Sequence, residues 1–280
     1  MRRMARAADD GYEHDLVPGL RATAEATRLA DEIAIAAARR ERLAADPPGL
    51  YAEVARLARE GEAEEAAWLA FLIAYLSPTE GPDPFAAIEQ ARVPWATGEV
   101  PDLERVELGP RTAHDPRRGT ATLAAYRAWA QRAGSQAAAY AGESSWTPQR
   151  RFERAFERLA LPGFSRGPRY ELLVLLGTLG VFDIRPWSLH LVDAMDPATI
   201  AAKRVFGIGD SLNLQRRATE LATAASVPME ALDLALVNWS RAEDERITGG
   251  VPDADGAERR DDLRALLRAG PAAAEAQAAE

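Results

Sequence analysis

The stretch "AAKRVFGIGDSLNLQRRATELA", residues 201–222, sets two helix-like runs on either side of Gly207-Ile208-Gly209 and holds Lys203, the single lysine among 34 basic residues. Two glycines around one apolar residue remove side chains where a backbone must turn or come close to another group. Such a turn ends one helix and opens the next. It also gathers the N–H groups of the turn and of the next helix's first turn, for which a phosphate oxygen is a natural acceptor. Arg204 and Arg216 stand on either side to add charge. Helix cap and phosphate-holding hairpin are both open readings at this point.

A second segment, "LPGFSRGPRYELLVLLGTLG" at 161–180, repeats the design, with Gly163 in the turn and Arg166 and Arg169 at the start of the helix that follows. An unpaired arginine is costly to bury, so these two are expected at a phosphate or a base. Trp68, Tyr170 and Trp187 are the candidates for stacking on a base, with the core as their competing place.

The rest of the chain is helical in pattern, over about 49–60, 62–77, 119–140, 147–160, 168–180, 197–205, 210–225 and 228–241, with no alternation of period two. The expected fold class is all-α. Trp68, Leu72, Tyr75 and Leu76 mark one apolar helix face. Pro148 and Pro228 suit first helical turns, and Ser226 suits the cap before Pro228. The expected organisation is a flexible N-terminus at 1–18, a helical region at 19–145 with a Pro/Gly-rich loop at 78–118, a hairpin-containing region at 146–246, and a low-complexity, partly disordered tail at 247–280. Within that tail, 257–269 has the pattern of a short helix.

Among the 280 residues, 47% are hydrophobic, enough for a sizeable core. The longest purely apolar run, "AAWLAFLIAYL" at 66–76, is about half of a membrane span, and the N-terminus lacks an apolar signal core, so a cytoplasmic protein is expected. Zero cysteines exclude disulfides, Cys-based zinc sites and iron–sulfur clusters. The three histidines, His14, His114 and His190, lie far apart, and neither a metal nor another cofactor is expected. The net charge of −9 opposes a nucleic-acid partner until its distribution is read. Residues 146–217 carry 11 basic against 7 acidic side chains, a local +4 that leaves −13 for the remainder, so one segment is suited to DNA.

The blocks "EEAAWLAFLIAYLSP" (64–78), "LPGFSRGPRYELLVLLGTLGVFDIRPWSLHL" (161–191), "AAKRVFGIGD" (201–210) and "VPMEALDLALVNW" (227–239) resemble the alpha-glutamyl/putrescinyl thymine pyrophosphorylase family, clade 3-like, over roughly 50–241. The two hairpins also look like those of the helix-hairpin-helix DNA glycosylases, to which that family is related. The resemblance implies a glycosylase-like helical fold directed at DNA, phage DNA with modified bases in particular, in hypermodification or in antiviral defence. It makes Gly163, Arg166, Arg169, Arg204, Gly207, Ile208, Gly209 and Arg216 the expected DNA contacts.

A monofunctional glycosylase flips the base from the stack and uses a carboxylate to stabilise an oxocarbenium-like sugar or to orient water. Helix-hairpin-helix glycosylases keep an Asp for this roughly twenty residues beyond the hairpin, and three acids here compete for the place. Glu230 and Asp233 follow Gly209 by 21 and 24 residues, and Asp183 follows Gly163 by 20. Arg185 is a possible partner for Asp183. Lyase-type members carry a lysine where this chain has Ser211, which excludes a Schiff base from that position; Lys203 is a supporting amine on the hairpin's other side. The alternatives are a pyrophosphorylase-type enzyme of thymine hypermodification and a non-catalytic helical DNA-binding module.

Overall fold

The computed structural model describes residues 7–207 and 209–268. Its twelve α-helices, with no strand among the described residues, confirm the all-α class. They are α1 (Thr23–Ala45), α2 (Gly49–Arg59), α3 (Ala63–Leu76), α4 (Ala86–Ala91), α5 (Ala121–Arg132), α6 (Gln136–Ala141), α7 (Pro148–Arg158), α8 (Arg166–Thr178), α9 (Pro197–Phe206), α10 (Ser211–Ala224), α11 (Ala231–Trp239) and α12 (Ala257–Leu266). Two compact units divide the chain. The first takes residues up to 41, 188–247 and those from 253 on; the second takes 42–187 and 248–252. None of the described helices is long and apolar enough to cross a membrane.

The second unit is built around α3, whose residues Ala66 to Leu76 are all buried. One apolar face was expected, but a helix that is apolar all round has no side to offer water and must be enclosed. Helices α2, α6 and α8 pack on it. The segment expected as a loop at 78–118 returns to its end: Gly109 N–H donates to Leu76 O, and Ala113 N–H and the Thr112 hydroxyl both donate to Tyr75 O. These bonds satisfy the last carbonyls of α3, which have no partner within the helix. The helical pattern at 119–140 divides into α5 and α6 because Gly134 takes φ 92° and the Ser135 hydroxyl caps the new helix by accepting from Ala138 N–H at 3.0 Å.

In the first unit, α9 packs on α10 and α11. Trp239 of α11 is buried, and its indole N–H donates to Glu25 O on α1 at 2.9 Å. The buried Glu32 carboxylate of α1 is held by Arg246, whose Nη2 lies 2.9 Å from one oxygen. Residues 7–18, expected to be flexible, are tied down. The Asp10 carboxylate accepts from Thr23 N–H at 3.0 Å at the start of α1, and buried Tyr12 donates its hydroxyl to Leu267 O at 2.8 Å. From the expected tail, α12 is joined to α1 by Arg264 and Asp31 at 2.6 and 2.7 Å. Residues 269–280 lie outside the described residues.

Helix α10 ends with Ser226 at φ 51°, where Val227 N–H bonds back to Ala222 O. Ser226 therefore closes α10 in the left-handed position that follows a helix instead of capping α11. Pro228 lies in a turn, closed by Ala231 N–H to Pro228 O, ahead of α11. Pro148 does occupy the first turn of α7.

Gly19 has no room for a methyl group: a Cβ there would stand 2.1 Å from Arg204 O and 2.4 Å from Gly207 N, both backbone atoms that cannot swing away. Gly19→Ala is expected to destabilise the first unit by at least about 2 kcal/mol in urea unfolding. Gly209→Ala, whose Cβ would meet nothing within 4 Å, is expected to stay within about 0.5 kcal/mol of the native protein. Equal stability of the two variants would show that the Gly19 contact is absent in solution.

His114 is buried with its Nδ1 2.9 Å from the Tyr75 hydroxyl. Burial holds its pKa below the ordinary 6.5, against a smaller opposing effect of Asp115. The unfolded ring therefore takes a proton more readily than the folded one. The stability held in the neutral ring is complete above pH 6.5 and is lost as pH falls below it. Between about pH 7.5 and about pH 5.5 the Tm should fall more steeply for the native protein than for His114→Gln. Parallel slopes would remove the histidine from the acid response.

Candidate functional site

In the second unit the turn at 161–165 docks on α5. Gly163 takes φ 79°, a Cβ on it would lie 2.5 Å from Thr122 Oγ1, and the Thr122 hydroxyl donates to Pro162 O at 2.9 Å. The helix that follows does not present its first arginine to solvent. Arg166 is 1% exposed, its guanidinium 4.7 Å from the centre of the Tyr170 ring one turn on, and Tyr170 is itself fully buried. Arg169 is half-buried over Phe156 at 3.9 Å. The expectation of Arg166 at a phosphate and Tyr170 under a base is corrected here: each covers the other, and stacking on an aromatic face lets an arginine enter a core.

Trp68 is likewise a core residue, with its indole N–H on Val93 O at 2.8 Å and its ring stacked on Phe71 and Tyr126. Trp187 differs: it is 55% exposed, and its indole N–H holds Glu153 Oε2 at 2.9 Å. It remains open to a stacking partner. Asp183 is exposed and paired at 2.8 Å with Arg151. The expected partner, Arg185, instead uses its backbone N–H on Pro148 O.

In the first unit the second turn is at once a cap and a packing point. Gly207 takes φ 66° as the C-cap of α9, its N–H donates to Lys203 O at 3.0 Å, and a Cβ on it would stand 3.2 Å from Gly19 Cα. That N–H is accordingly committed within the protein. Ile208 lies outside the described residues. Gly209 is exposed with open space above it. At the start of α10 the anion position is taken by the chain itself: the Asp210 carboxylate accepts from Leu212 N–H at 3.0 Å and from the Asn213 side-chain amide at 2.8 Å. An Asp directly before a helix is a legible capping signal that the reading of the hairpin did not use.

The cations around this turn are mostly engaged. Arg204 lies 4.7 Å from the Trp239 ring centre and 3.4 Å from Glu25 Oε1, and Arg216 is paired with Glu220. Lys203, half-buried in the last turn of α9, makes no ion pair among the described residues.

The two remaining acids stand at the start of α11. Glu230 is its N-cap residue, half-exposed, and its carboxylate makes no hydrogen bond or ion pair among the described residues. Asp233, one turn on, is 0% exposed. The same unit thus carries Lys203, Gly207, Gly209, Glu230 and Asp233, while Gly163, Arg166, Arg169, Asp183 and Trp187 belong to the other.

Sequence reasoning also passed over Arg127. Buried on α5, it lies 4.7 and 4.5 Å from the Trp68 and Trp95 ring centres and donates to Glu99 O at 2.6 Å. It pins the segment around Trp95, beside a cavity of about 430 Å³. Among the described residues no group of three or more His, Asp or Glu side chains is placed to share a metal ion.

No curated protein and no solved structure matches the chain. The family model described as alpha-glutamyl/putrescinyl thymine pyrophosphorylase clade 3 matches residues 110–248, about half of the chain. Both glycine turns, the helices that follow them and all three candidate acids thus lie in the span matched by the model of the alpha-glutamyl/putrescinyl thymine pyrophosphorylase family, clade 3.

Proposed function

We propose that the chain is an enzyme acting on a modified thymine base in DNA, and that it releases the base by hydrolysing the N-glycosidic bond. The observation that supports this reading is Glu230, a half-exposed carboxylate at a helix N-terminus with neither oxygen engaged among the described residues, within the span matched to a family named for a thymine enzyme. As a carboxylate it stabilises positive charge developing at C1′ as the C1′–N bond breaks, or orients the water whose oxygen forms the new C1′–O bond. The departing base leaves with the electron pair of the broken bond and takes up a proton. Asp233, buried one turn along α11, is a positioning residue for that end of the helix.

Helix α10, 14 residues and about 21 Å long at 1.5 Å per residue, stands in the chain between Gly209 and Glu230, and the turn is assigned no part in the chemistry. Phage DNA carrying hypermodified thymines is the substrate class that joins these elements, and antiviral defence in the cytoplasm is the setting. A second reading, a pyrophosphorylase acting during thymine hypermodification, is favoured by the family's own description. One incubation separates the two, with purified protein mixed with plain DNA or with phage DNA carrying hypermodified thymines. Free base and abasic sites support the glycosylase, and consumption or release of pyrophosphate supports the alternative.

For the glycosylase, Glu230→Gln should lower kcat about a hundredfold or more with DNA binding retained. Asp183→Asn should leave activity near native, because that acid sits in solvent on Arg151. Lys203→Ala should weaken turnover without abolishing it, and borohydride should trap no protein–DNA adduct. Full activity in Glu230→Gln would sink the assignment, and a trapped adduct lost in Lys203→Ala would make the enzyme a lyase.

A further inference from the structure

Helix α7 has two sharply different faces. Phe152, Ala155 and Phe156 are buried, while Arg150, Arg154 and Arg158, at i, i+4 and i+8, form an exposed row with about 6 Å of helix between successive members. Arg154 is neutralised by Glu157 at 2.9 Å. Arg150 and Arg158 have no carboxylate partner among the described residues; both lie against one indole, 5.4 and 5.9 Å from the Trp146 ring centre. That ring is fixed from below by Gly142, where a Cβ would stand 2.5 Å from Trp146 Cε3. Arg158 then shares a cavity of about 400 Å³ with Arg132, an exposed arginine in the last turn of α5 that also has no ion pair among the described residues. Trp129, Ala133 and Ala139 complete the lining, and no acidic side chain takes part.

Two guanidinium groups facing one cavity without a counter-ion repel each other, and each keeps hydrogen-bond donors directed outward. An oxyanion with two or more acceptor atoms relieves both conditions, and the indole that carries Arg150 and Arg158 reduces the freedom these side chains lose on binding it. We propose that this cleft between α5 and α7 is a phosphodiester site that grips the sugar–phosphate backbone of DNA, with Arg132 and Arg158 on one phosphate and Arg150 on its neighbour. The site rests on the reading of the protein as a DNA-directed enzyme. It moves the main grip on the backbone away from the glycine turns, where Arg166 is buried and Asp210 takes the anion position. Contacts of this kind carry no sequence information, so the cleft fixes register while the base is chosen elsewhere.

The test is fluorescence anisotropy with labelled duplexes of two unrelated sequences, titrated over a range of salt. For Arg132→Gln/Arg158→Gln the affinity should fall roughly tenfold or more for both sequences alike. The slope of log affinity against log salt should become shallower by about two. Removing the same charge at Arg59 and Arg105, exposed residues outside the cleft, should leave most of the affinity and slope in place. If native protein binds DNA and the cleft variant binds it equally well, or if the Arg59/Arg105 control loses as much, the cleft is overturned while the DNA-directed reading stands. If native protein binds no DNA, both fall together. Inorganic phosphate at the two arginines, seen by arginine side-chain NMR shifts while DNA binding is indifferent to their loss, would make the cleft a free-anion site and overturn the backbone assignment.

Discussion

A helix with no polar face must be enclosed by chain, and α3 imposes that condition on the second unit. Its eleven apolar residues meet α2, α6 and α8, and the carbonyls at its end need donors from outside the helix. The segment 109–113 supplies them, which draws the Pro/Gly-rich stretch back onto the core. The same enclosure accounts for the aromatic residues. Trp68 stacks on Phe71 and Tyr126, and Arg127, placed between Trp68 and Trp95, donates to Glu99 O and closes the returning segment over the helix. Because α8 lies on α3, its first turns face inward and take Arg166 and Tyr170 with them.

The first unit depends on a backbone contact between glycines. Gly19 donates its N–H to Val205 O at 2.9 Å and has no room for a Cβ beside Arg204 O and Gly207 N, while Gly207 is favoured as glycine by its φ of 66° and by the 3.2 Å approach of a Cβ to Gly19 Cα. Both conditions hold before any ligand is considered. Gly209 carries no such duty, and its open surroundings make it the residue of the pair that is free for close approach from outside. One motif thus divides into a glycine that approaches Gly19 of the N-terminal segment and one with open space around it.

Charge follows the same logic of use and remainder. Thirty-three arginines would give a strongly basic surface if all were free, but many are consumed by stacking on rings or by pairing with the 43 acids. Arg166, Arg169 and Arg204 lie on aromatic rings, and Arg151 and Arg216 face carboxylates. What matters for a polyanion is the set left over, and on α5 and α7 that set is concentrated around Trp146 and one cavity. The matched family span contains all of it.

The sequence by itself determined the class of fold and the places of most helices, because period 3.6, capping residues and proline positions are local signals that each segment carries alone. It also determined where glycine turns stand and which acids follow them. Only the tertiary structure decided how the side chains are used. An arginine at the start of a helix reads the same whether it meets a phosphate or a tyrosine ring, and Arg166 became a core residue because α8 packs against α3. Asp183, Glu230 and Asp233 were equivalent by spacing; burial and pairing separated them, since one is held by Arg151, one is enclosed, and Glu230 has no partner among the described residues. The grouping of Arg132 with Arg158 is 26 residues apart in sequence and follows no periodicity. It arises from the packing of helices around α3, which is a property of the assembled unit and of no single segment.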